Sequence, residues 1–371
     1  MNMTRRELVE GIGALGMATR LRSLPGAQAE VRLDHVAAPL NTLPSPPQLA
    51  GTEAFTMEGD IAARMVAGIH ADLLQRNEAS IEAREKLWTR DDSSRRNYEA
   101  SVAANRERFA KVIGLIDERV PYTSPNVEMH LGDSPVVATG EGYRVYHVRC
   151  PVLAGVDAEG LLLEPDGKVT TQVIALPDAD WSPEMLVGIE PGIAPEAHFA
   201  RHLAENGCRV LVPSLIDRKD TWSGNEQFGI RTNLTHREFI YRMAYEMGRH
   251  VIGYEVQKIL AAVDWFAKSA PRTSIGVFGY GEGALLALYS AAVDLRIDAA
   301  CVSGYFTSRQ KLWQEPLYRN VWTLLHEFGD AEIASLIAPR TLIIEASRGP
   351  EISGPPPAGE GRLRSAASGS L

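Results

Sequence analysis

The feature that most constrains this chain is the stretch Ser274-Ile-Gly-Val-Phe-Gly279-Tyr-Gly281-Glu282-Gly283-Ala-Leu-Leu-Ala-Leu. An apolar, β-forming run meets glycines at alternate positions, and helix-forming residues follow at once. Strand, tight turn and helix in that order have the outline of a nucleophile elbow, whose turn lifts its middle residue above the sheet. Glycine on either side of the apex suits such a turn, because strand and helix pass too closely for side chains. The apex itself is Gly281, so the turn is expected without a reactive group upon it.

The rest of the chain is read around this turn. Helical periodicity fills residues 57–121. Ile61, Met65, Val66, Ile69, Leu73 and Leu74 share one face, a second helix is expected over 81–88, and Tyr98 to Ile116 carry a third stripe. From Asn126 the period becomes two, with strands expected at 127–131, 143–150, 160–164 and 171–176. Strand and helix then alternate: helix 195–206, strand 208–213, a long loop, then a long helix to about 268 opened by the capping box Thr235-His-Arg-Glu238. The elbow, strand 297–302, a helix over 321–328 and strand 341–344 follow. This rhythm predicts an α/β fold: a mostly parallel sheet flanked by helices, with an N-terminal helical extension.

With the elbow, the segments Ile174-Ala-Leu-Pro-Asp-Ala-Asp180, Arg209-Val-Leu-Val-Pro213 and Leu336-Ile-Ala-Pro-Arg-Thr-Leu-Ile-Ile-Glu345 complete a pattern. The chain resembles the α/β-hydrolase superfamily, in its dienelactone-hydrolase and acetyl-xylan-esterase-like branch, over residues 125–346. That resemblance implies an α/β-hydrolase-like core at 122–346, ester hydrolysis as the family chemistry, and a small-molecule or carbohydrate ester as substrate. It also implies three groups in chain order: nucleophile, acid, histidine. The nucleophile position holds Gly281, Glu345 or Glu351 can supply the acid, and the last histidine is His326, ahead of both. Loss of one triad member already costs orders of magnitude in rate, so catalysis of that kind is expected to be impaired. The same lack of a late histidine leads to the expectation of a chain cut short or shifted in frame near Arg348, with an unpaired sheet edge.

Other groups could still act. The amide of Glu282 and one within Pro177-Asp-Ala-Asp-Trp181 are candidate oxyanion donors. Glu282 and Asp180 form a candidate acid–base couple; they read equally as a dipole-stabilised helix start and a turn former. Ser303 ends a different strand with no evident base. Trp181, Trp222 and Tyr280 are the candidate substrate-binding residues. Trp222 lies in the 215–233 loop, at about 19 residues long enough to be either a substrate lip or a structural crossover.

Composition narrows the rest. A net charge of −9 argues against a nucleic-acid partner, and no apolar run is long enough to span a membrane. Cys150, Cys208 and Cys301 are far apart and read as buried hydrophobes, and His198 with His202 lacks the glutamate of a zinc motif, so no metal site is expected. The glycines match neither a P-loop nor a dinucleotide fingerprint, and no cofactor is expected. Arg5-Arg6, the weakly apolar run 11–18 and Ala27-Gln-Ala29 outline a twin-arginine signal over 1–29. Such a signal would make the protein periplasmic or secreted; otherwise the stretch is a disordered tail and the protein cytoplasmic. Residues 30–56, rich in proline, read as an extended lead-in, and 347–371 as a disordered tail.

Overall fold

The computed structural model describes residues 50–53, 56–129, 132, 134–367 and 369. The expected signal at 1–29 and nearly all of the lead-in at 30–56 lie outside the described residues. The chain forms two units, Met1–Ile61 and Ala62–Leu371, and the second holds the sheet.

Helix α1 (Ile61–Glu85) is one continuous helix where two were expected, and it is followed by α2 (Arg95–Ser101) and α3 (Ala103–Val112). Ser94 caps α2 by accepting the Asn97 N–H at 3.2 Å. The expected stripe of α1 is present but unburied: Met65, Val66 and Ile69 are each 60% exposed or more. Burial starts instead at Arg84 and Trp88. Periodicity reports which residues share a face; it does not say that a partner covers that face. The 95–116 stripe is buried. Phe109 meets Tyr289 and Phe328 edge-on or tilted at 5.0 and 5.1 Å, and Arg106 donates to the carbonyls of Ala292 and Leu336. This part of the expected separate helical block is therefore built into the main unit.

The strands are β1 (Asn126–Val127), β2 (Val136–Gly140), β3 (Tyr143–Leu153), β4 (Val156–Pro165) and β5 (Thr171–Leu176). Helices α4 (Pro183–Val187) and α5 (Phe199–Glu205) precede β6 (Cys208–Pro213). A small hairpin, β7 (Gly224–Asn225) with β8 (Ile230–Arg231), sits in the long loop. Then come α6 (His236–Glu246), α7 (Val251–Ser269), β9 (Ser274–Tyr280), α8 (Glu282–Val293), β10 (Ala299–Ser303), α9 (Leu324–Glu327), α10 (Asp330–Ser335) and β11 (Thr341–Glu345). The main sheet has nine strands in the order β1-β3-β4-β6-β5-β9-β10-β11, with β2 beside β3. From β6 through β5, β9 and β10 to β11 every pairing is parallel; β1 to β4 enter antiparallel. Two apolar cores, one against each face, account for the helices on both sides: Val256, Val263, Val277 and Leu285 in one, Val145, Leu161, Val210 and Ala200 in the other. The result is an α/β-hydrolase-like fold.

Two local expectations need correction. The long helix after Thr235 is two helices, α6 and α7, because Gly248 adopts a left-handed φ of 66° and His250 starts the second by accepting the Ile252 N–H. Met243 and Met247, beside this break, are exposed. The stretch after 347, expected as a disordered tail, forms a looped strap as far as 367, turning at Gly354 and Gly361. It is held by main-chain hydrogen bonds to the core rather than by the apolar burial that composition reports on.

At the elbow the two flanking glycines are required by contact distance. A Cβ on Gly279 would stand 2.1 Å from the Gly283 carbonyl oxygen, and one on Gly283 would stand 2.3 Å from that of Leu176. Gly283→Ala is therefore expected to lower stability by about 2 kcal/mol or more. Gly276→Ala, in the same strand with nothing nearer than 3.7 Å, is expected to be neutral or mildly stabilising. Urea midpoints of the two variants check this pair.

Candidate active site

Gly281 sits between the end of β9 and the start of α8 with φ 57° and ψ −117°. That is the strained apex expected from the sequence, a conformation for which only glycine carries no steric cost. Its N–H donates to the Ser303 carbonyl at 3.0 Å, tying the turn to the end of the neighbouring strand. A Cβ there would meet Asp178 Oδ1 at 2.5 Å and the ring of Pro350 at 3.0 Å. The nearest atoms to the apex thus belong to a carboxylate and a proline, and none to a histidine.

Asp178 is what the sequence reading missed. It follows β5, is 2% exposed, and its Oδ1 accepts the Glu282 N–H at 2.9 Å. That amide, immediately after the apex, is the one an ester oxyanion would use. The carboxylate is held in a two-point grip by Arg218, with Nη1 to Oδ2 at 2.6 Å and Nη2 to Oδ1 at 3.1 Å. Arg218 Nε donates in turn to the Tyr318 hydroxyl at 2.8 Å.

Below the apex, the fully buried Glu282 carboxylate accepts from three guanidinium groups. Arg319 approaches at 2.9 and 3.1 Å, Arg237 at 3.1 Å and Arg218 at 3.3 Å. Arg237, itself fully buried, also lies 2.8 Å from Glu255. Burial alone would raise the Glu282 pKa, but Arg319, Arg237 and Arg218 outweigh it and hold the group well below the usual carboxylate range. Burial likewise disfavours the charge on Arg218, while its bond to Asp178 and its neighbours push its pKa up. Both partners stay ionised.

The expected site residues separate into three places. Glu282 is inside, under the turn. Asp180, partly exposed, accepts from the Arg218 N–H at 3.2 Å and from its Nη1 at 3.0 Å, so Asp180 and Glu282 are joined through one arginine. Trp181, Tyr280 and Glu345 come together around a cavity of about 640 Å³, lined also by Phe199, Phe278 and Ser303. There Trp181 stacks on Tyr280 with centroids 4.8 Å apart and planes 13° from parallel, and Phe199 stacks on Phe278 at 4.3 Å. Ser303 Oγ donates to Glu345 Oε2 and lies 2.8 Å from Ser347 Oγ, so Ser303 has a carboxylate neighbour the sequence did not reveal. Trp222 stands apart, 77% exposed on the long loop. Its main-chain N–H donates to His236 Nε2 at 2.8 Å, and His236 Nδ1 faces Asp217 at 2.5 Å. Both ring nitrogens of that histidine are engaged within the loop.

The long loop's Arg218 bonds directly to the elbow carboxylates, and α6 contributes Arg237. The sequence held a partial signal for Arg237, because Arg237, Tyr241 and Ala244 fall on one helical face and the latter two are apolar. Nothing local marked Arg218 or Arg319. Among the described residues no group of His, Cys, Asp and Glu is arranged to hold a metal ion, and no helix is long and apolar enough to cross a membrane.

No family model matches the sequence, and no curated protein matches it. Solved structures do. A Bacteroides fragilis protein named a "putative acetyl xylan esterase" is 18% identical over 68% of this chain and 69% of its own, with a TM-score of 0.52. A glucuronoyl esterase from Teredinibacter turnerae is 12% identical over 68% of each chain, TM-score 0.45. Acetyl xylan esterase 1 from Thermoanaerobacterium sp. is 13% identical over 65% of this chain and 76% of its own, TM-score 0.40.

The ion cluster yields a direct expectation. Glu282→Gln leaves three arginines facing an uncharged amide and should cost about 3–5 kcal/mol in a denaturant titration. Because the folded-state pKa of Glu282 is depressed, its stabilisation is present above the unfolded value of about 4.3 and is lost as pH falls below it. The acid limb of the stability curve should therefore be shallower in Glu282→Gln than in the wild type. Identical acid limbs would show that this carboxylate is not held ionised. The match to the Bacteroides fragilis structure, at 18% identity and a TM-score of 0.52, shows an α/β-hydrolase-like fold.

Proposed function

We propose that this chain is a ligand-binding relative of carbohydrate ester hydrolases, keeping the fold and a pocket beside the elbow while lacking Ser–His–acid catalysis. The observation that carries the reading is Asp178. It occupies the Glu282 N–H that an oxyanion would need, and it lies 2.5 Å from the place of any Cβ at position 281. Glu282 and Asp180 do not serve as an acid–base couple in this reading, since Glu282 is enclosed and kept ionised by three arginines. A general acid or base needs a pKa near the working pH and reach to the reacting group.

A carbohydrate or its ester is the ligand best suited to the 640 Å³ cavity. The Trp181–Tyr280 pair offers flat apolar surface for the C–H face of a sugar ring, while Glu345, Ser303 and Ser347 supply partners for hydroxyl groups. The names of the structural matches, acetyl xylan esterase and glucuronoyl esterase, support the same class. In this reading the Arg5-Arg6 leader outline places the protein outside the cytoplasm, which cell fractionation would check.

Incubation with p-nitrophenyl acetate is expected to give no turnover above buffer. Calorimetry with acetylated xylo-oligosaccharides is expected to show binding that weakens at least about tenfold in Trp181→Ala, the order of a lost aromatic contact. Ester turnover that disappears in Glu345→Gln would overturn the non-catalytic reading in favour of an enzyme working through Ser303 and Glu345.

A further inference from the structure

Beyond β11 the chain turns back across the mouth of the elbow. The Tyr280 hydroxyl donates to the Arg348 carbonyl at 3.0 Å, and Pro350 lies against Gly281. Further on, Asn233 Nδ2 donates to the Pro356 carbonyl at 2.8 Å, and the Leu363 N–H donates to the Arg231 carbonyl at 2.8 Å. Arg362 Nη1 reaches the Asp220 carboxylate at 2.8 Å. The Ser365 N–H donates to Asn233 Oδ1 at 2.7 Å and the Ala367 N–H to Glu238 Oε1 at 3.1 Å.

The segment is looped rather than extended: Gly354 and Gly361 have left-handed φ of 59° and 72°, and the Gly354 N–H donates to the Gly369 carbonyl at 2.9 Å. It is held by main-chain hydrogen bonds, and the receiving side chains, Asn233 and Glu238, are 2% and 3% exposed with the segment in place. The strap itself contributes little packing. No residue from 346 to 367 is fully buried, and a cavity of about 420 Å³ separates it from Thr235, Leu317 and Tyr318. Gly354-Pro-Pro-Pro357 is stiff before it binds, so docking it costs little conformational entropy.

We propose that Arg231, Asn233 and Glu238 form a docking site for a proline-containing peptide segment. Residues 348–367 fill it in cis, and their release uncovers the elbow apex at Gly281. The docking site does not depend on what the aromatic cavity binds. Because the occupant is tethered, its effective concentration is on the order of millimolar, and a free peptide at micromolar concentration cannot displace it.

The test uses the full chain and a labelled synthetic peptide with the sequence of residues 348–367. Leu363→Pro removes the N–H given to Arg231, and Arg362→Ala removes the ion pair with Asp220; both changes lie in the strap and leave the docking site intact. By fluorescence anisotropy the peptide should bind the double variant at least tenfold more tightly than the wild type. Adding Asn233→Ala should abolish that binding. Equal binding to both proteins, or none to a double variant whose circular dichroism matches the wild type, would overturn the proposal. Should the double variant fail to fold, hydrogen exchange on the wild type decides. The Ser365, Ala366 and Ala367 amides should exchange well before those of α8, and exchange of both sets at one rate would rule out a releasable strap.

Discussion

The contact on which the site depends is the hydrogen bond from the Glu282 amide to Asp178 Oδ1. It joins the first turn of α8, where unpaired N–H groups and the helix dipole favour negative charge, to the loop after β5. A buried carboxylate is costly unless it is paired, and Arg218 pairs it. Arg218 in turn bonds to Glu282, and Glu282 draws in Arg237 and Arg319. One anion placed at the helix start thus accounts for a cluster of arginines behind the turn. The long loop, α6 and the segment before α9 each supply one of them.

That cluster bears on what the elbow can bind. A carbonyl oxygen seeking the Glu282 N–H must displace Asp178, and doing so breaks a buried two-point ion pair. Removing one partner of such a pair costs several kcal/mol, more than a single neutral hydrogen bond of about 1 kcal/mol returns. The open space lies to the side instead, in the cavity where Trp181 and Tyr280 stack above the ends of β9 and β10. The bare apex and the filled amide belong together: Asp178 can stand where it does because Gly281 has no side chain to exclude it.

The sheet and its turn could be read from the sequence because their causes are local. Alternating apolar residues, Gly279 and Gly283 at a close approach, and the Thr235 cap act over a few positions. Two features that failed have non-local causes. The α1 stripe at Met65, Val66 and Ile69 has the right period, but whether anything covers it depends on elements distant in sequence. The strap after 347 lacks apolar residues, yet Asn233 and Glu238, more than a hundred positions earlier, satisfy its backbone. Trp181, Tyr280 and Glu345, which line one cavity, flank strand ends that are recognisable in the sequence. Asp178, Arg218 and Arg319 are not recognisable, since a buried ion pair leaves no mark in either partner's neighbourhood. Asp180 was noticed in place of Asp178, two residues away, because both have the look of turn formers.

In the proposed reading nothing nucleophilic stands over the elbow, and the Glu282 amide is already taken by Asp178. Covalent trapping tests this most directly. The protein is exposed to a p-nitrophenyl phosphonate, which captures an activated serine whether or not turnover can be completed, and its intact mass is then measured. The mass should be unchanged after prolonged exposure. A stoichiometric adduct mapped to Ser303, or to any residue lining the cavity beside Gly281, would contradict the reading.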